Sequence, residues 1–217
     1  MTTNLDASNL SLEDVHQLFQ LERFLNNSIT SILTLEPLAE SEQQELQQIR
    51  DNFDSYYTWG KISEGEIKFM TISPLLWLAG FYPYSRIRIT LEEKIAEIYI
   101  KDEDKTIKGR MDIVAVHKIQ ESQGITPFCV LVIETKNSEI SALTGLPQLL
   151  TYLYKCLDNQ QSAWGLTTNG MDYQFVHIQP GNPNIYQQFP SLNLIYPQSS
   201  IQILQILKAI CKLSLSF

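Results

Sequence analysis

Asp112, Glu134 and Lys136 are the residues whose types and spacing point most directly to chemistry. Glu134-Thr135-Lys136 closes an apolar run from Phe128 to Ile133, and Gly109-Arg110-Met111-Asp112 opens another from Ile113 to Val116. Charge at a strand edge is unexpected unless a metal ion or a phosphate meets it. In an antiparallel pair the numbers of facing residues have a constant sum. Facing Asp112 with Glu134 therefore puts the turn at Glu121-Ser122-Gln123-Gly124, a polar stretch with a glycine able to take a positive φ. Side chains alternate faces along a strand, so Glu134 and Lys136 share a face, and Asp112 lies across from Glu134 on it. Two adjacent carboxylates repel each other. A divalent cation removes the repulsion, and hard oxygen ligands suit Mg2+ or Mn2+ better than Zn2+. A lysine two residues from such a ligand can orient a water or stabilise charge developing on a phosphate.

The elements that must hold these residues follow from the pattern around them. A helix is predicted over 64–79, kinked or restarted at Pro74 with Ser73 as cap and stopped by Gly80. Strands are predicted at 86–90 and 95–100, and the charged turn Asp102-Glu103-Asp104-Lys105 separates them from the Asp112 strand. After the hairpin comes a helix with Pro147 near its first turn, burying Leu149, Leu150, Leu153 and Leu157. Ala163 to Thr168 reads as a strand, Asn169-Gly170 as a tight turn, and Tyr173 to Ile178 as the returning strand. An amphipathic helix over 199–212 carries Ile203, Leu207 and Ile210 on one side. Residues 1–60 read as helices. Ser11 with Asp14 resembles a capping box, and a second helix starting near Ser41 buries Leu46, Ile49 and Phe53. The class is α/β, a mixed central sheet flanked by helices with an N-terminal helical extension. The expected parts are an acidic extension over 1–60, a core over 61–198 and a C-terminal helix over 199–217 packing on that core.

The net charge of -8 argues at first against a polyanionic partner, but its distribution removes the objection. Residues 1–60 carry ten acids against Arg23 and Arg50, while 61–155 carry twelve acids and twelve bases. The imbalance belongs to the first segment, and the part that holds Asp112 and Glu134 is neutral. No apolar run approaches the ~18 residues of a membrane span, and the N-terminus lacks a signal-peptide pattern, so no membrane and a cytoplasmic location are expected. Cys129, Cys156 and Cys211 are odd in number and set in apolar surroundings, which reads as reduced core thiols.

The order of these elements, with an Asp opening one strand and Glu-x-Lys closing the next, resembles the PD-(D/E)XK nuclease superfamily, the restriction endonuclease-like fold. Met111 stands where that motif usually has Pro. Gly109-Arg110-Met111-Asp112 resembles the Gly-x-x-Asp form of the RecB-like branch, and Gln148 with Tyr152 resembles its Gln-x-x-x-Tyr motif, four apart and so on one helical face. Glu64, ten residues before Pro74-Leu75-Leu76, and Thr168-Asn169-Gly170 resemble the nuclease domain of type I restriction enzyme R subunits. The resemblance covers 61–178. No phosphate-binding loop of a helicase motor is present.

The resemblance implies a Mg2+- or Mn2+-dependent deoxyribonuclease, acting in defence against foreign DNA or in repair, as a homodimer or beside a separate specificity or motor chain. It implies Asp112 and Glu134 as metal ligands with the Thr135 backbone carbonyl, Lys136 as the residue that positions the attacking water, and Glu64 completing the metal shell, with Glu66 as its competitor. Gln148 and Tyr152 would orient Lys136 or touch the scissile phosphate. Plainer readings stand beside these: a half-buried helix face for Gln148 and Tyr152, a favourable acid near a helix start for Glu64, and structural roles for His16, His117 and His177. Arg86, Arg88, Lys108, Arg110 and Lys155 are candidates for phosphate contact. The alternative function is a catalytically silent DNA-binding or assembly module of the same fold. An RNA substrate is open within the enzyme class.

Overall fold

Val130 to Ile133 is apolar at every position, as a strand covered on both faces must be. It lies inside the sheet of a computed structural model that describes residues 3–25, 28–82, 87–95, 97–100, 104–117 and 128–215. In chain order the elements are β1 (Thr3–Asp6), α1 (Leu12–Phe19), β2 (Leu21–Leu25), α2 (Glu40–Trp59), α3 (Glu64–Ile67), a π turn (Lys68–Ile72), α4 (Ser73–Leu78), β3 (Ile87–Lys94), β4 (Ile98–Ile100), β5 (Lys105–Lys108), β6 (Arg110–His117), β7 (Cys129–Thr135), α5 (Leu146–Cys156), β8 (Ala163–Thr168), β9 (Asp172–Gln179), β10 (Asn184–Gln188), β11 (Leu192–Asn193) and α6 (Pro197–Leu215).

The main sheet has the order β2-β10-β9-β8-β7-β6-β3, with β11 attached to β9. β7 and β8 are parallel, joined by the crossover through α5, and β2 is parallel to β10; the other neighbours are antiparallel. A smaller sheet, β1-β5-β4, draws two of its strands from the chain between β3 and β6. Alternation along the strands divides the core. Ile113, Ala115, Leu131 and Ile133 pack with residues of α2, α4 and α6, while Val114 and Val132 pack with α1 and α5. The protein is thus a mixed sheet with helices on both faces, the expected α/β class.

Local chemistry explains where the elements start. Ser11 and Asp14 cap α1 reciprocally, as expected. Leu46, Ile49 and Phe53 of α2 are buried, as are Ile203, Leu207 and Ile210 of α6, and Lys208 of α6 pairs with Glu42 of α2.

The structure differs from expectation in five places. Thr3–Asp6 and Leu21–Leu25 are strands, so the first sixty residues are not wholly helical; β2 pairs with β10 on the edge of the main sheet. Lys105 begins β5 rather than closing a turn. Leu157 is half-buried because α5 ends at Cys156. The helix from Glu64 does not restart at Pro74. Ile72 and Ser73 stay helical, and Ser73 N–H bonds to the Lys68 carbonyl five residues back, a wider turn that accommodates a proline lacking its own N–H. Cys129 and Cys156 are bonded, with Cα atoms 5.9 Å apart, because the last turn of α5 lies over the start of β7; Cys211 is a buried free thiol. The hairpin turn expected at 121–124 lies outside the described residues. No helix among the described residues is long and apolar enough to cross a membrane.

Candidate functional site

Ile113 faces Ile133 and Val114 faces Val132, pairs with the same sum as Asp112 and Glu134, which stand one step beyond the paired ladder; past Ala115 the register shifts by one residue. Asp112 is firmly held. Its Oδ2 accepts from the Thr135 N–H at 2.8 Å and the Thr135 hydroxyl at 2.7 Å, and its Oδ1 accepts from Lys68 Nζ at 2.9 Å. Glu134 is only 1 % exposed. Its Oε1 accepts from Lys136 Nζ at 2.7 Å, and its Oε2 is buried with no hydrogen-bond donor among the described residues. Burial first, and the neighbouring Asp112 charge second, push its carboxyl up to about 8; Lys136 opposes them, and Glu64 adds a small raising effect. Lys136 is anchored by its own N–H to the Thr168 carbonyl at 2.8 Å.

Helix α5 brings the other motif to this end of the sheet. Gln148 Oε1 lies 3.5 Å from Lys136 Nζ, the outer limit of a hydrogen bond, and Gln148 Nε2 donates to the Tyr152 hydroxyl at 2.8 Å. The Tyr152 hydroxyl donates to the Arg110 carbonyl at 2.8 Å and accepts from the Arg110 N–H at 3.2 Å. Burial pushes this phenol up to about 12. Two glycines permit the approach. A Cβ on Gly109 would stand 2.9 Å from the Tyr152 ring and from Ala7, so the Gly-x-x-Asp and Gln-x-x-x-Tyr segments are in contact through a missing side chain. A Cβ on Gly145 would stand 2.9 Å from Glu134 Cγ and 3.5 Å from Lys136 Cε, so α5 can begin directly over the carboxylate.

The helical side supplies residues to which the sequence pattern assigns another role or none. Glu66 is consumed as a cap, its Oε2 accepting from the Ser63 N–H and hydroxyl, which hold its carboxyl below the usual range. Glu64 is half-buried and is felt by Glu134 as charge, but among the described residues no three His, Cys, Asp or Glu side chains converge as a metal-holding group. Lys68, unassigned from sequence, bridges Asp112 and Glu92, at 2.9 Å from each. Burial works to lower its ammonium, and the bonds to the two carboxylates outweigh that and raise it. Its spacing, four after Glu64 on one helical face, is the signal that could have found it. Thr135 contributes its side chain as well as its backbone, a role that the Glu-x-Lys triplet does not specify.

Other candidates are placed elsewhere. Arg110 pairs with Glu92 at 2.8 Å, Lys108 with Glu97 and Lys155 with Asp158; Arg88 is exposed on β3, and Arg86 lies outside the described residues. His16 meets the Tyr186 hydroxyl at 2.9 Å, His177 packs against Trp164 with the rings tilted by 33°, and His117 is buried on β6. Thr168-Asn169-Gly170 shapes the β8–β9 turn: Asn169 Oδ1 accepts from the N–H groups of Met171 and Asp172, and Gly170 takes φ +87 where a Cβ would strike Phe53.

No protein-family model matches this chain, and no curated protein sequence matches it. The fit to a divalent cation is therefore judged from the donors. A hard ion is held through one or two carboxylates with waters and substrate oxygens completing its shell, and a buried carboxylate oxygen without a donor, next to a second carboxylate, suits that arrangement. The residues present fit Mg2+ or Mn2+.

Proposed function

We propose that this chain is a divalent-cation-dependent nuclease that hydrolyses DNA phosphodiester bonds on a restriction endonuclease-like, PD-(D/E)XK core. Glu134 carries the reading. A carboxyl held this deep, with one oxygen on a lysine and the other without a donor, costs free energy when it ionises, and such groups concentrate where chemistry is done. The observed order of helix, strands, crossover helix and strands supports the core assignment, as does the contact that joins Gly109 to Tyr152.

In this reading Asp112 and Glu134, with the Thr135 carbonyl, hold Mg2+ or Mn2+. The bound ion would lower the pKa of a water and stabilise charge on the phosphate. Thr135 fixes the Asp112 rotamer through two bonds, so that the carboxylate is presented in one orientation. Lys136 donates toward the attacking water or a phosphate oxygen. Gln148 steadies that ammonium, and Tyr152, 1 % exposed and bonded to both polar groups of the Arg110 backbone, is a positioning residue rather than a phosphate contact. Glu64 supplies negative potential and a place for a ligating water. Phe69, beside Lys68 and 79 % exposed, and Trp59, two residues before Lys61, offer faces on which bases stack. Specificity would come from a second copy or from a separate specificity or motor chain, in the cytoplasm.

A second reading, a catalytically silent DNA-binding or assembly module, is favoured by one observation: each carboxylate already has its own lysine, Lys68 for Asp112 and Lys136 for Glu134. The two readings part on incubation with single-stranded, duplex and supercoiled DNA in Mg2+ or Mn2+, alongside Asp112→Ala and Lys136→Ala. We expect cleavage that either substitution lowers by about 100-fold or more. Cleavage indifferent to both would remove the site. DNA binding with no cleavage, and no ion bound in calorimetry, would favour the module.

A further inference from the structure

Lys68 occupies the carboxylate that a metal ion would need. It approaches from the π turn that follows α3, and its Nζ sits 2.9 Å from Asp112 Oδ1 and 2.9 Å from Glu92 Oε1. The other Asp112 oxygen already takes two donors from Thr135, so Oδ1 is the oxygen with a lone pair left, and the Lys68 ammonium is the positive charge that an incoming cation meets there. Glu92 is built into this arrangement. The β3–β6 ladder runs Leu91 to Ile113 and then Glu93 to Met111, which sets Glu92 opposite Asp112 at a break in the pairing, and Glu92 has φ +56, in the left-handed region that glycine favours. A residue strained in this way, with its carboxylate divided between Lys68 and Arg110, points to a function for that placement.

We propose that Lys68 is a built-in counter-cation of the site, which a divalent ion displaces from Asp112 and which Glu92 then retains beside the phosphate. The inference rests on the nuclease reading and extends it by a residue that the Asp112–Glu134–Lys136 triplet does not contain. The two lysines thereby differ in kind. Lys136 stays on the strand end with Glu134 and serves the reaction, whereas Lys68 is a competitor for the ion and afterwards a positive charge next to the substrate. Because Glu92 holds the ammonium at the same distance as Asp112 does, entry of the ion exchanges one partner of Lys68 and expels no charge into solvent. Lys68 is half-buried, 18 % exposed at the side chain, so its pair with Asp112 is less screened than a surface ion pair and its removal has a measurable effect on ion affinity.

The test is Mn2+ titration by calorimetry of the intact chain, of Lys68→Met and of Lys68→Gln, with thermal unfolding of each to establish that it is folded and Asp112→Asn as the control that lacks the ligand. Loss of a charge-assisted competitor should tighten Mn2+ binding about tenfold in both Lys68 variants, while their metal-free forms melt lower and recover more on addition of Mn2+. Two variants are used because the glutamine keeps a donor for Glu92 should the methionine fold poorly. Binding in the intact chain that Asp112→Asn abolishes but the Lys68 variants leave equal or weaker would overturn this role for Lys68 and leave the nuclease reading standing. Absence of Mn2+ binding in the intact chain and in both Lys68 variants would overturn the nuclease reading and this inference together.

Discussion

Strand β7 is buried along its whole length, yet its two ends treat polar groups in opposite ways. At Cys129 the buried Gln160 side chain accepts from the Cys129 N–H at 2.8 Å and donates to the Cys129 carbonyl at 2.9 Å and the Ser162 carbonyl at 2.6 Å. The same residue is bonded to Cys156, and Trp164 on the neighbouring strand packs against His177 and Phe189. At Glu134 a carboxylate oxygen is left without a donor, and beside it the buried Thr167 hydroxyl has no partner among the described residues. Burial without pairing costs free energy at each such atom. One end of the strand is therefore arranged for stability, and the other keeps an unmet demand for positive charge.

The largest expected effect comes from exchanging the two ends' properties by substitution. Glu134→Gln should lower DNA cleavage by about 10²- to 10⁴-fold while leaving the unfolding midpoint unchanged or higher, since a buried group that resists ionisation is replaced by a neutral one of the same shape. Gln160→Ala should do the reverse. It removes the three hydrogen bonds that Gln160 makes to Cys129 and Ser162, at about 1 kcal/mol each, with turnover retained at temperatures where the protein stays folded. Urea unfolding and initial rates on both variants measure this. Equal losses of activity from the two substitutions would erase the functional distinction between the ends.

The two ends should also respond oppositely to pH. The Glu134 carboxyl ionises near 4.5 in an unfolded chain and near 8 in the fold. The unfolded chain thus gives up a proton that the fold keeps, and the stability this group contributes is complete below about pH 4.5 and lost as pH rises through about 8. His177, at the far end, has the opposite sign. Burial pulls it from 6.5 to about 4, so the unfolded chain gains a proton that the fold refuses, and stability is lost as pH falls from 6.5 through 4. Each slope amounts to about 1.4 kcal/mol per pH unit. Between about pH 4.5 and 6.5 the two opposite slopes cancel. Glu134→Gln should therefore abolish the fall above about pH 6.5 and uncover the His177 rise up to 6.5, while His177→Phe should abolish the rise below about 4.5 and extend the fall down to 4.5, read from urea midpoints between about pH 4 and 9 without divalent ions. An alkaline slope that survives Glu134→Gln would show that Glu134 is not the group responsible.

What the amino-acid sequence makes legible, and what it hides, divides along the range of the interactions involved. The Asp112–Glu134 register follows from strand periodicity, and the β6–β7 ladder keeps the same sum from Ile113–Ile133 to Ala115–Leu131 before shifting by one residue at Val116, a bulge that periodicity does not foresee. The caps are local as well, and the Ser63-x-x-Glu66 pattern suffices by itself to remove Glu66 from the competition with Glu64. Lys68 is hidden for a different reason. Its helix address is visible, but its contacts with Asp112 and Glu92 depend on a π turn and on how α3 meets the sheet. β2 escapes a local pattern because its partner in the sheet, β10, lies some 160 residues further along the chain. Pairing of Cys129 with Cys156 likewise needs the position of α5 over β7, which no spacing rule supplies.

The smallest expected effect separates geometry at the Glu134 end from mere packing there. Gly145 lets α5 begin against the site, and a methyl group on it would meet Glu134 Cγ at 2.9 Å, Lys136 Cε at 3.5 Å and Thr167 Cγ2 at 3.5 Å. The first of these distances is too short for two carbons, so in Gly145→Ala either the carboxylate or the helix start moves by a few tenths of an ångström. If the carboxylate moves, cleavage falls about tenfold, as misplacement of a reacting group predicts, while stability falls by only about 1 kcal/mol, because overpacking at one atom is a modest strain. If the helix start moves instead, stability falls by the same amount and the rate is unchanged. Rates and urea midpoints on this one variant therefore show whether the end of β7 that lacks a donor is held in place by the packing of α5 or by its own charges.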